Sequence, residues 1–174
     1  MTRNLELIYD NETAIKAFNE ILTSYPNARL TIAGTGPELE NLQSLVEQLD
    51  LTQRVLFTGR VYTQQMPTLY QSADVMINPS RVDNMPNFIL EALASKVPVV
   101  STNVRGIPYM VEHENTALLV NPNDYLAMAS AIRQVLEDEQ CQRKLVNSGL
   151  SLVKQFAWSE VSQHWLSLYK KLAA

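Results

Sequence analysis

The sequence predicts an α/β protein with a parallel sheet flanked by helices, in a doubly wound arrangement. Five short runs rich in Val, Ile and Leu are bounded by turn residues and are predicted to be strands: 28–34, 54–59, 74–80, 97–102 and 116–121. Their apolar residues are continuous rather than alternating, which is typical of strands buried on both faces. Helical stretches separate these runs, and regular strand–helix alternation indicates one Rossmann-like domain.

The stretches between the strands place apolar residues on one face of a helix. Residues 11–25 and 36–51 are the longest of these predicted helices, and shorter ones are expected over 63–73 and 85–95. From Asp124 onward three helical segments follow one another without a strand. The last, over about 159–173, carries an apolar stripe that includes Trp165 and Leu168. Since the sheet already has its helices, part of this stripe is predicted to face another domain.

Composition excludes several classes of protein. The 174 residues suffice for one domain with a core, and the net charge of −4 provides no basic patch for nucleic acid. No run of eighteen apolar residues predicts a membrane span, and the N-terminus lacks the pattern of a secretion signal. The single cysteine, Cys141, rules out an internal disulfide, and the two histidines have no partner at metal-ligand spacing. We therefore expect a cytoplasmic protein without a metal or cofactor.

Candidate binding residues follow the predicted strands. In doubly wound sheets, ligands bind outside the carboxyl ends of the strands. The residues in that position are Gly34–Gly36, Gly59–Arg60, Ser80–Asn87 and Thr102–Gly106. In the segment 78–100, two acids, two amides and an arginine lie between two apolar runs.

The segment 78–100 has the features of a site for a phosphate-bearing ligand. Pro86 suits the first turn of a helix, whose free N–H groups and dipole attract an anion. Asn87 and Glu91 are four residues apart and share one helical face, and Asp83 precedes the helix. Carboxylates accept hydrogen bonds from sugar hydroxyls. The alternative is that Asp83 and Asn84 only cap the helix and Glu91 is a solvated surface acid.

Several motifs in order resemble a known family. The segment "PSRVDNMPNFILEALASKVPVVST" contains an acid, seven residues and then a glutamate; the acid is Asp83 and the glutamate is Glu91. The runs "IAGTGPELENL", "VLFTGRV", "LYQSADVMINPS" and "FAWSEVSQHWLSLY" accompany it in register. Together they resemble the C-terminal, nucleotide-sugar-binding half of retaining GT-B glycosyltransferases of family 4. The resemblance extends over nearly the whole chain.

The resemblance implies a role for each candidate residue. Glu91 would bind the ribose hydroxyls and Asp83 the hydroxyls of the donor sugar, and both are our candidate catalytic residues. Ser80 and the backbone of Asn84, Met85, Pro86 and Asn87 would line the sugar and diphosphate site. Gly59 and Arg60 would lie against the base, and Arg3 would end the preceding strand and bind the donor. Gly34 and Gly36 would let the chain pass close to the ligand, although a plain strand-to-helix turn also explains them.

The sequence departs from the family pattern at several positions. The lysine expected to hold the diphosphate falls at Ile8–Tyr9, and Lys96 replaces the glycine after the helix, which predicts a missing or strained cap. The family loop "GGIPE" is "RGIPY" here, with Arg105 and Tyr109 at the changed positions. A solvated Arg105 is favoured over one that reaches a phosphate. These departures leave nucleotide binding in place and weaken the prediction of catalysis.

The resemblance concerns only one half of a two-domain enzyme. It implies that an N-terminal acceptor-binding domain or a partner subunit completes the site, and that the helix over about 159–173 packs towards it. Trp165, Leu168 and Tyr169 would otherwise be exposed and could drive self-association. The predicted function is donor binding in a metal-independent sugar transferase of polysaccharide or glycolipid synthesis. The chain is expected to be inactive alone and cytoplasmic, and the other half is expected to hold it at the inner face of the membrane. Two alternatives are a degenerate nucleotide- or protein-binding module and a nucleotide-sugar epimerase, for which no acid–base histidine is found.

Overall fold

A computed structural model describes residues 1–2 and 4–173 and contains five parallel strands. They are β1 (Leu30–Ala33), β2 (Val55–Gly59), β3 (Met76–Asn78), β4 (Val99–Thr102) and β5 (Leu118–Val120). Each lies within one of the predicted runs, and every pair of neighbouring strands is parallel. The Rossmann-like α/β class is therefore confirmed.

Helices separate the strands in the predicted order. They are α1 (Asn11–Ile21), α2 (Leu39–Gln48), α3 (Met66–Gln71), α4 (Asn87–Ala94), α5 (Ile107–Met110), α6 (Tyr125–Glu137), α7 (Glu139–Lys154) and α8 (Trp158–Leu172). Two 3₁₀ turns, Leu7–Tyr9 and Thr63–Gln65, precede α1 and α3. The sequence did not predict α5 or the turn at Leu7–Tyr9, since neither is long enough to show a helical period. No helix among the described residues is long and apolar enough to cross a membrane.

Hydrogen bonding divides the strands into two groups, β1–β2 and β3–β4–β5. A cavity of about 440 Å³ lies between them, lined on one side by Leu30 and Thr31 and on the other by Met76 and Ile77. Met1 closes one end: its amino group donates to the carbonyl of Thr31 at 2.9 Å, and its carbonyl accepts from the N–H of Ala33 at 2.9 Å. The predicted sheet is thus present in two parts, because β1 and β3 do not pair with each other.

Two apolar clusters form the core and hold α4 in place. One cluster joins α1 and α6 to β1, with Ile15 and Ile32 fully buried. The other packs α4 against β4 and the loop that follows it, with Ile89 and Leu93 buried. Burying an aliphatic side chain of this size contributes about 2 kcal/mol. The face of α4 opposite Glu91 is therefore firmly anchored.

Two positions that lost a family glycine keep a left-handed backbone. Lys96, just after α4, has φ of 64°, and Arg105 has φ of 46°. This conformation brings Cβ of an L-residue close to the carbonyl and costs roughly 1 kcal/mol or more at each position. The strained cap predicted at Lys96 is confirmed. Arg105 is exposed and lies outside the clefts described below, as expected for a solvated arginine.

Helix α8 has no buried residue along its described length. Trp165 and Tyr169 stack with their ring centroids 6.0 Å apart, yet their exposed fractions are 51% and 61%. Leu168 and Leu172 on the same helix are also exposed. The predicted apolar stripe is thus present and largely exposed.

The amino group of Met1 makes stability depend on pH in a chain that carries it free. Burial lowers the pKa of this group from its ordinary value of 8.0 to about 6. Between these values the unfolded chain binds the proton and the folded chain does not, so stability rises with pH through this range. A pKa difference of about 2 corresponds to roughly 2.7 kcal/mol at most. Urea denaturation between pH 6 and 8 should show this gain in the free energy of unfolding, and a chain acetylated on Met1 should lack it. The same dependence of stability on pH in both chains would contradict the assignment.

Candidate functional site

The carboxyl ends of β1, β2 and β3 open onto two adjoining clefts. The glycine cleft, about 490 Å³, is lined by residues that include Gly34, Thr35 and Arg60. The acid cleft, about 660 Å³, is lined by Asp83, Asn84, Met85, Pro86, Asn87, Phe88 and Glu91 together with neighbouring residues. Thr2, Tyr9 and Met66 line both clefts, so the two are neighbours. The structure therefore brings together most of the predicted site residues at the strand ends.

Gly36 and Gly59 are not among the residues that line the two clefts. Gly36 does not line a cleft; a Cβ there would come within 2.4 Å of the carbonyl oxygen of Leu5, so glycine is required by this close backbone approach. Gly59 ends β2 with φ of 67°, and its carbonyl accepts from the N–H of Gly34 at 2.8 Å. Gly36 thus permits a close backbone contact just after β1, and Gly59 permits the left-handed turn that ends β2. Arg3 lies outside the described residues.

A buried polar network supports the loop that carries Asp83. Ser80 is fully buried and donates its hydroxyl to Asn78 Oδ1 at 2.7 Å. Its hydroxyl also lies 3.4 Å from Asp83 Oδ2, and its carbonyl accepts from Thr102 Oγ1 at 2.6 Å. Asn78 Nδ2 in turn donates to Ser101 Oγ at 3.0 Å. Ser80 therefore belongs to the buried network behind the loop that carries Asp83 and is not among the residues that line the acid cleft.

The turn before α5 holds the same loop from the side. The N–H of Gly106 donates to the carbonyl of Asp83 at 3.1 Å. A Cβ on Gly106 would fall 1.8 Å from the carbonyl oxygen of Asn84, so the two backbones touch. Asp83 is buried as a result, with only 7% of its surface exposed. The N-cap of α4 is Pro86, which follows this loop directly.

An ion pair joins the acid cleft to the turn at Leu7–Tyr9. Arg81 Nη2 donates to Asp10 Oδ1 at 2.9 Å, and the backbone N–H of Arg81 donates to the carbonyl of Ile8 at 2.8 Å. The Asp10 carboxylate is buried, accepts a hydrogen bond from Thr13, and raises the pKa of Arg81. Ile8 and Tyr9 line the acid cleft where the family would place a lysine. The turn thus contributes a hydroxyl and an alkyl group in place of a cation.

Glu91 is exposed to the acid cleft and is held by a buried tyrosine. The hydroxyl of Tyr70, on α3, donates to Glu91 Oε2 at 2.9 Å and lies 3.0 Å from Thr2 Oγ1. Burial and the nearby carboxylate raise the pKa of Tyr70 far above its ordinary range, which keeps the phenol neutral. Asn87, one turn earlier on α4, is exposed on the same side. Glu91 is therefore an oriented acceptor rather than a freely solvated acid.

Arg60 supplies a cation to the glycine cleft. Its guanidinium lies 6.0 Å from the centre of the Tyr62 ring, which is itself exposed. This distance allows a cation–π interaction and gives the cleft a flat aromatic neighbour. Sequence reasoning singled out Arg60 but missed Tyr62, because a tyrosine two residues from an arginine carries no signal without the turn between them.

No group of three or more His, Cys, Asp or Glu side chains that could hold a metal ion is found among the described residues. His113 Nδ1 accepts a hydrogen bond from the N–H of Leu119 at 3.0 Å, which accounts for that histidine structurally. Cys141 is half-buried on α7, and burial raises the pKa of its thiol. These residues have no part in the clefts.

These features define a class of protein: Rossmann-like domains that carry acids beside a helix N-terminus at the ends of their strands. Residues 4–151 match the family model described as "Glycosyl transferases group 1". The chain therefore belongs to the group 1 glycosyltransferases. It corresponds to the C-terminal half of the GT-B fold.

Individual proteins agree with this placement. The GDP-mannose-dependent alpha-(1-6)-phosphatidylinositol monomannoside mannosyltransferase of Mycobacterium tuberculosis is 31% identical over 169 residues, which are 93% of this chain and 42% of that protein. HepE of Anabaena, solved with UDP-glucose, superimposes with a TM-score of 0.88 at 21% identity over 98% of this chain and 47% of HepE. The C-terminal domain of a group 1 glycosyltransferase from Francisella tularensis superimposes with a TM-score of 0.79 at 22% identity, over 87% of this chain and 81% of that domain. This chain thus spans less than half of the longer proteins it matches.

Proposed function

We propose that this chain is the donor-binding half of a retaining, metal-independent family 4 glycosyltransferase, which transfers a sugar from a nucleotide-diphosphate sugar to an acceptor. The observation that carries the proposal is the acid cleft, in which Asp83, Asn87 and Glu91 converge beside the N-terminus of α4. The adjoining glycine cleft is proposed to receive another part of the same donor. The family assignment supports the same reaction class.

The diphosphate is proposed to lie at the N-terminus of α4. Pro86 is the N-cap of α4 and forms no side-chain cap, and the first turn of this helix ends at the acid cleft with its backbone N–H groups. Such groups, together with the helix dipole, bind phosphate oxygens. As the bond to the sugar breaks, negative charge develops on the departing diphosphate. Preorganised N–H donors stabilise that charge, and losing one such donor typically costs about 3 kcal/mol.

The two acids are proposed to bind different parts of the donor. Glu91 is exposed and oriented by Tyr70, which suits a carboxylate that accepts from the ribose hydroxyls. Asp83 is buried and lines the acid cleft, and it is proposed to accept from the hydroxyls of the donor sugar. Arg60 and Thr35 in the glycine cleft are proposed to face the base.

The other half of the enzyme is proposed to cover α8. Its exposed apolar side chains give that face the character of a domain interface, and the chain spans only 42% of the mycobacterial relative. An N-terminal acceptor-binding domain or partner subunit would complete the site, so the 174-residue chain alone is expected to bind a donor without transferring its sugar. Self-association through α8 is the alternative, and sedimentation of this chain distinguishes the two. The mycobacterial relative is a phosphatidylinositol monomannoside mannosyltransferase, and this likeness supports a role in glycolipid synthesis for the enzyme to which this chain belongs.

A degenerate module of the same fold is the second candidate. The turn at Leu7–Tyr9 brings Ile8 and Tyr9 to the acid cleft instead of a cation, and this favours a domain that binds a nucleotide without catalysis. Transfer or hydrolysis of a radiolabelled nucleotide sugar by the chain joined to its N-terminal half would separate the candidates. Turnover supports the enzyme, and tight binding without turnover supports the module.

The first test is ligand-observed NMR of the 174-residue chain with UDP, GDP and ADP. One nucleotide should bind, and Glu91→Ala should weaken it by roughly tenfold to a hundredfold, because hydrogen bonds to a charged group contribute about 1.5–3 kcal/mol. The control is Glu139→Ala, which removes an exposed carboxylate paired only with Arg143 on α7. If a folded sample bound none of the three nucleotides, the proposal would be overturned.

A further inference from the structure

We propose that Tyr70 is a positioning residue that orients the Glu91 carboxylate and thereby makes the acid cleft select ribose over a deoxygenated sugar. This inference rests on the proposed function, because it assumes that Glu91 receives the nucleoside. Tyr70 itself does not line the acid cleft; it acts through Glu91 from beneath α4.

The contact is built from buried and fixed groups. Tyr70 lies on α3 with only 3% of its surface exposed, and its ring belongs to the apolar cluster that anchors Ile89 and Leu93 of α4. Its hydroxyl is 2.9 Å from Glu91 Oε2 and 3.0 Å from Thr2 Oγ1. The ring therefore cannot turn away, and the hydroxyl has one acceptor and one further polar neighbour at hydrogen-bond distance.

The direction of these hydrogen bonds follows from chemistry. A phenol has one proton, and a carboxylate has none to give, so the Tyr70 proton is donated to Glu91. The Thr2 hydroxyl then donates to the phenol oxygen, which makes a relay from Thr2 through Tyr70 to Glu91. Because burial keeps the phenol neutral, this donor remains in place across the physiological range of pH.

In this relay Glu91 can still accept hydrogen bonds from two adjacent hydroxyls of a ligand. A carboxylate has about four lone-pair positions, and Tyr70 occupies one of them on Oε2. The remaining positions are free to accept two adjacent hydroxyls from the cleft side. An exposed glutamate without such a partner loses side-chain freedom when it binds, and fixing it beforehand removes that cost. The gain is specific to ligands that carry the hydroxyls.

The test compares each ribonucleotide with its analogue that lacks both ribose hydroxyls: UDP, GDP and ADP against their 2′,3′-dideoxy forms. We expect the wild-type chain to prefer the ribonucleotide by roughly tenfold or more. Tyr70→Phe keeps the ring and removes the donor, so this preference should fall at least threefold while the affinity for the dideoxy form stays within about twofold. Calorimetric titration measures both affinities.

Two further variants make the result specific. Tyr25→Phe removes another tyrosine–glutamate hydrogen bond, from Tyr25 to Glu137 at 3.3 Å, far from the clefts, and should leave the preference unchanged. If Tyr70→Phe does not fold, Thr2→Val interrupts the relay at its other end and should lower the preference about twofold.

Each outcome decides between distinct conclusions. Equal weakening of both forms by Tyr70→Phe would show a merely structural role and overturn the inference, and so would an unchanged preference. If wild type binds a ribonucleotide and its preference is unaffected by Tyr70→Phe, the proposed function survives without this inference. If wild type binds no ribonucleotide, the proposed function fails and the inference with it.

Discussion

Gly106→Ala is expected to lower the free energy of unfolding by about 3 kcal/mol and to abolish nucleotide binding. The new Cβ would lie 1.8 Å from the carbonyl oxygen of Asn84, a backbone atom that cannot rotate away. Overpacking of a tight site costs about 1–3 kcal/mol and more where the backbone must shift. The shift would also stretch the hydrogen bond from Gly106 to Asp83 and move the whole loop that walls the acid cleft.

Urea denaturation and a nucleotide titration measure the two effects. Gly149→Ala is the control for overpacking away from the clefts, because its Cβ would meet the buried side chain of Leu93 at 2.7 Å and no backbone atom of the loop. We expect it to cost about 1 kcal/mol, since alanine favours the helix and offsets part of the overpacking, and to bind nucleotide as wild type does. Wild-type binding by a folded Gly106→Ala chain would show that the loop does not depend on this contact.

Arg81→Ala is expected to destabilise the chain by about 2 kcal/mol. It leaves the Asp10 carboxylate, whose side chain is only 2% exposed, without its counterion. Removing one partner of a fully buried pair costs about 3–5 kcal/mol, and we expect less here because Arg81 is half exposed and Thr13 still donates to Asp10. The turn at Leu7–Tyr9 should also loosen, which would weaken binding at the clefts it lines.

The comparison for this variant is Arg143→Ala. Arg143 also pairs with a carboxylate, that of Glu139, but both side chains are exposed on α7 and such pairs contribute little. Thermal unfolding of both variants should therefore show a clear loss for Arg81→Ala and none for Arg143→Ala. Equal melting temperatures for the two would mean that Asp10 is satisfied without Arg81.

The arrangement around α4 could be predicted because it is local in the sequence. Asp83, Asn87 and Glu91 lie within nine residues, and helical geometry alone places the last two on one face. The strand end before them and the helix after them both have strong patterns. The convergence of these residues on one cleft is confirmed, whereas their roles in donor binding remain proposals.

The partners of these residues could not be predicted, because each lies far away along the chain. Tyr70 is 21 residues from Glu91, Asp10 is 71 from Arg81, and Gly106 meets Asn84 across a different loop. Ser80 was expected among the ligand-binding residues, and only the structure places it in a buried network with Asn78 and Thr102. A polar residue after a strand looks the same in sequence whether it faces a ligand or the core.

The sequence by itself determined the α/β class, the order of its strands and helices, the short acidic segment and the apolar stripe of α8. Each of these depends on residues close together in the chain, whose apolar periodicity and turn chemistry act locally. Only the tertiary structure decided how the strands group into two, how Tyr70 and Thr2 orient Glu91, and how Arg81 and Gly106 fix the loop. Those contacts form between segments that the fold brings together, and their strength comes from burial, which no local pattern records.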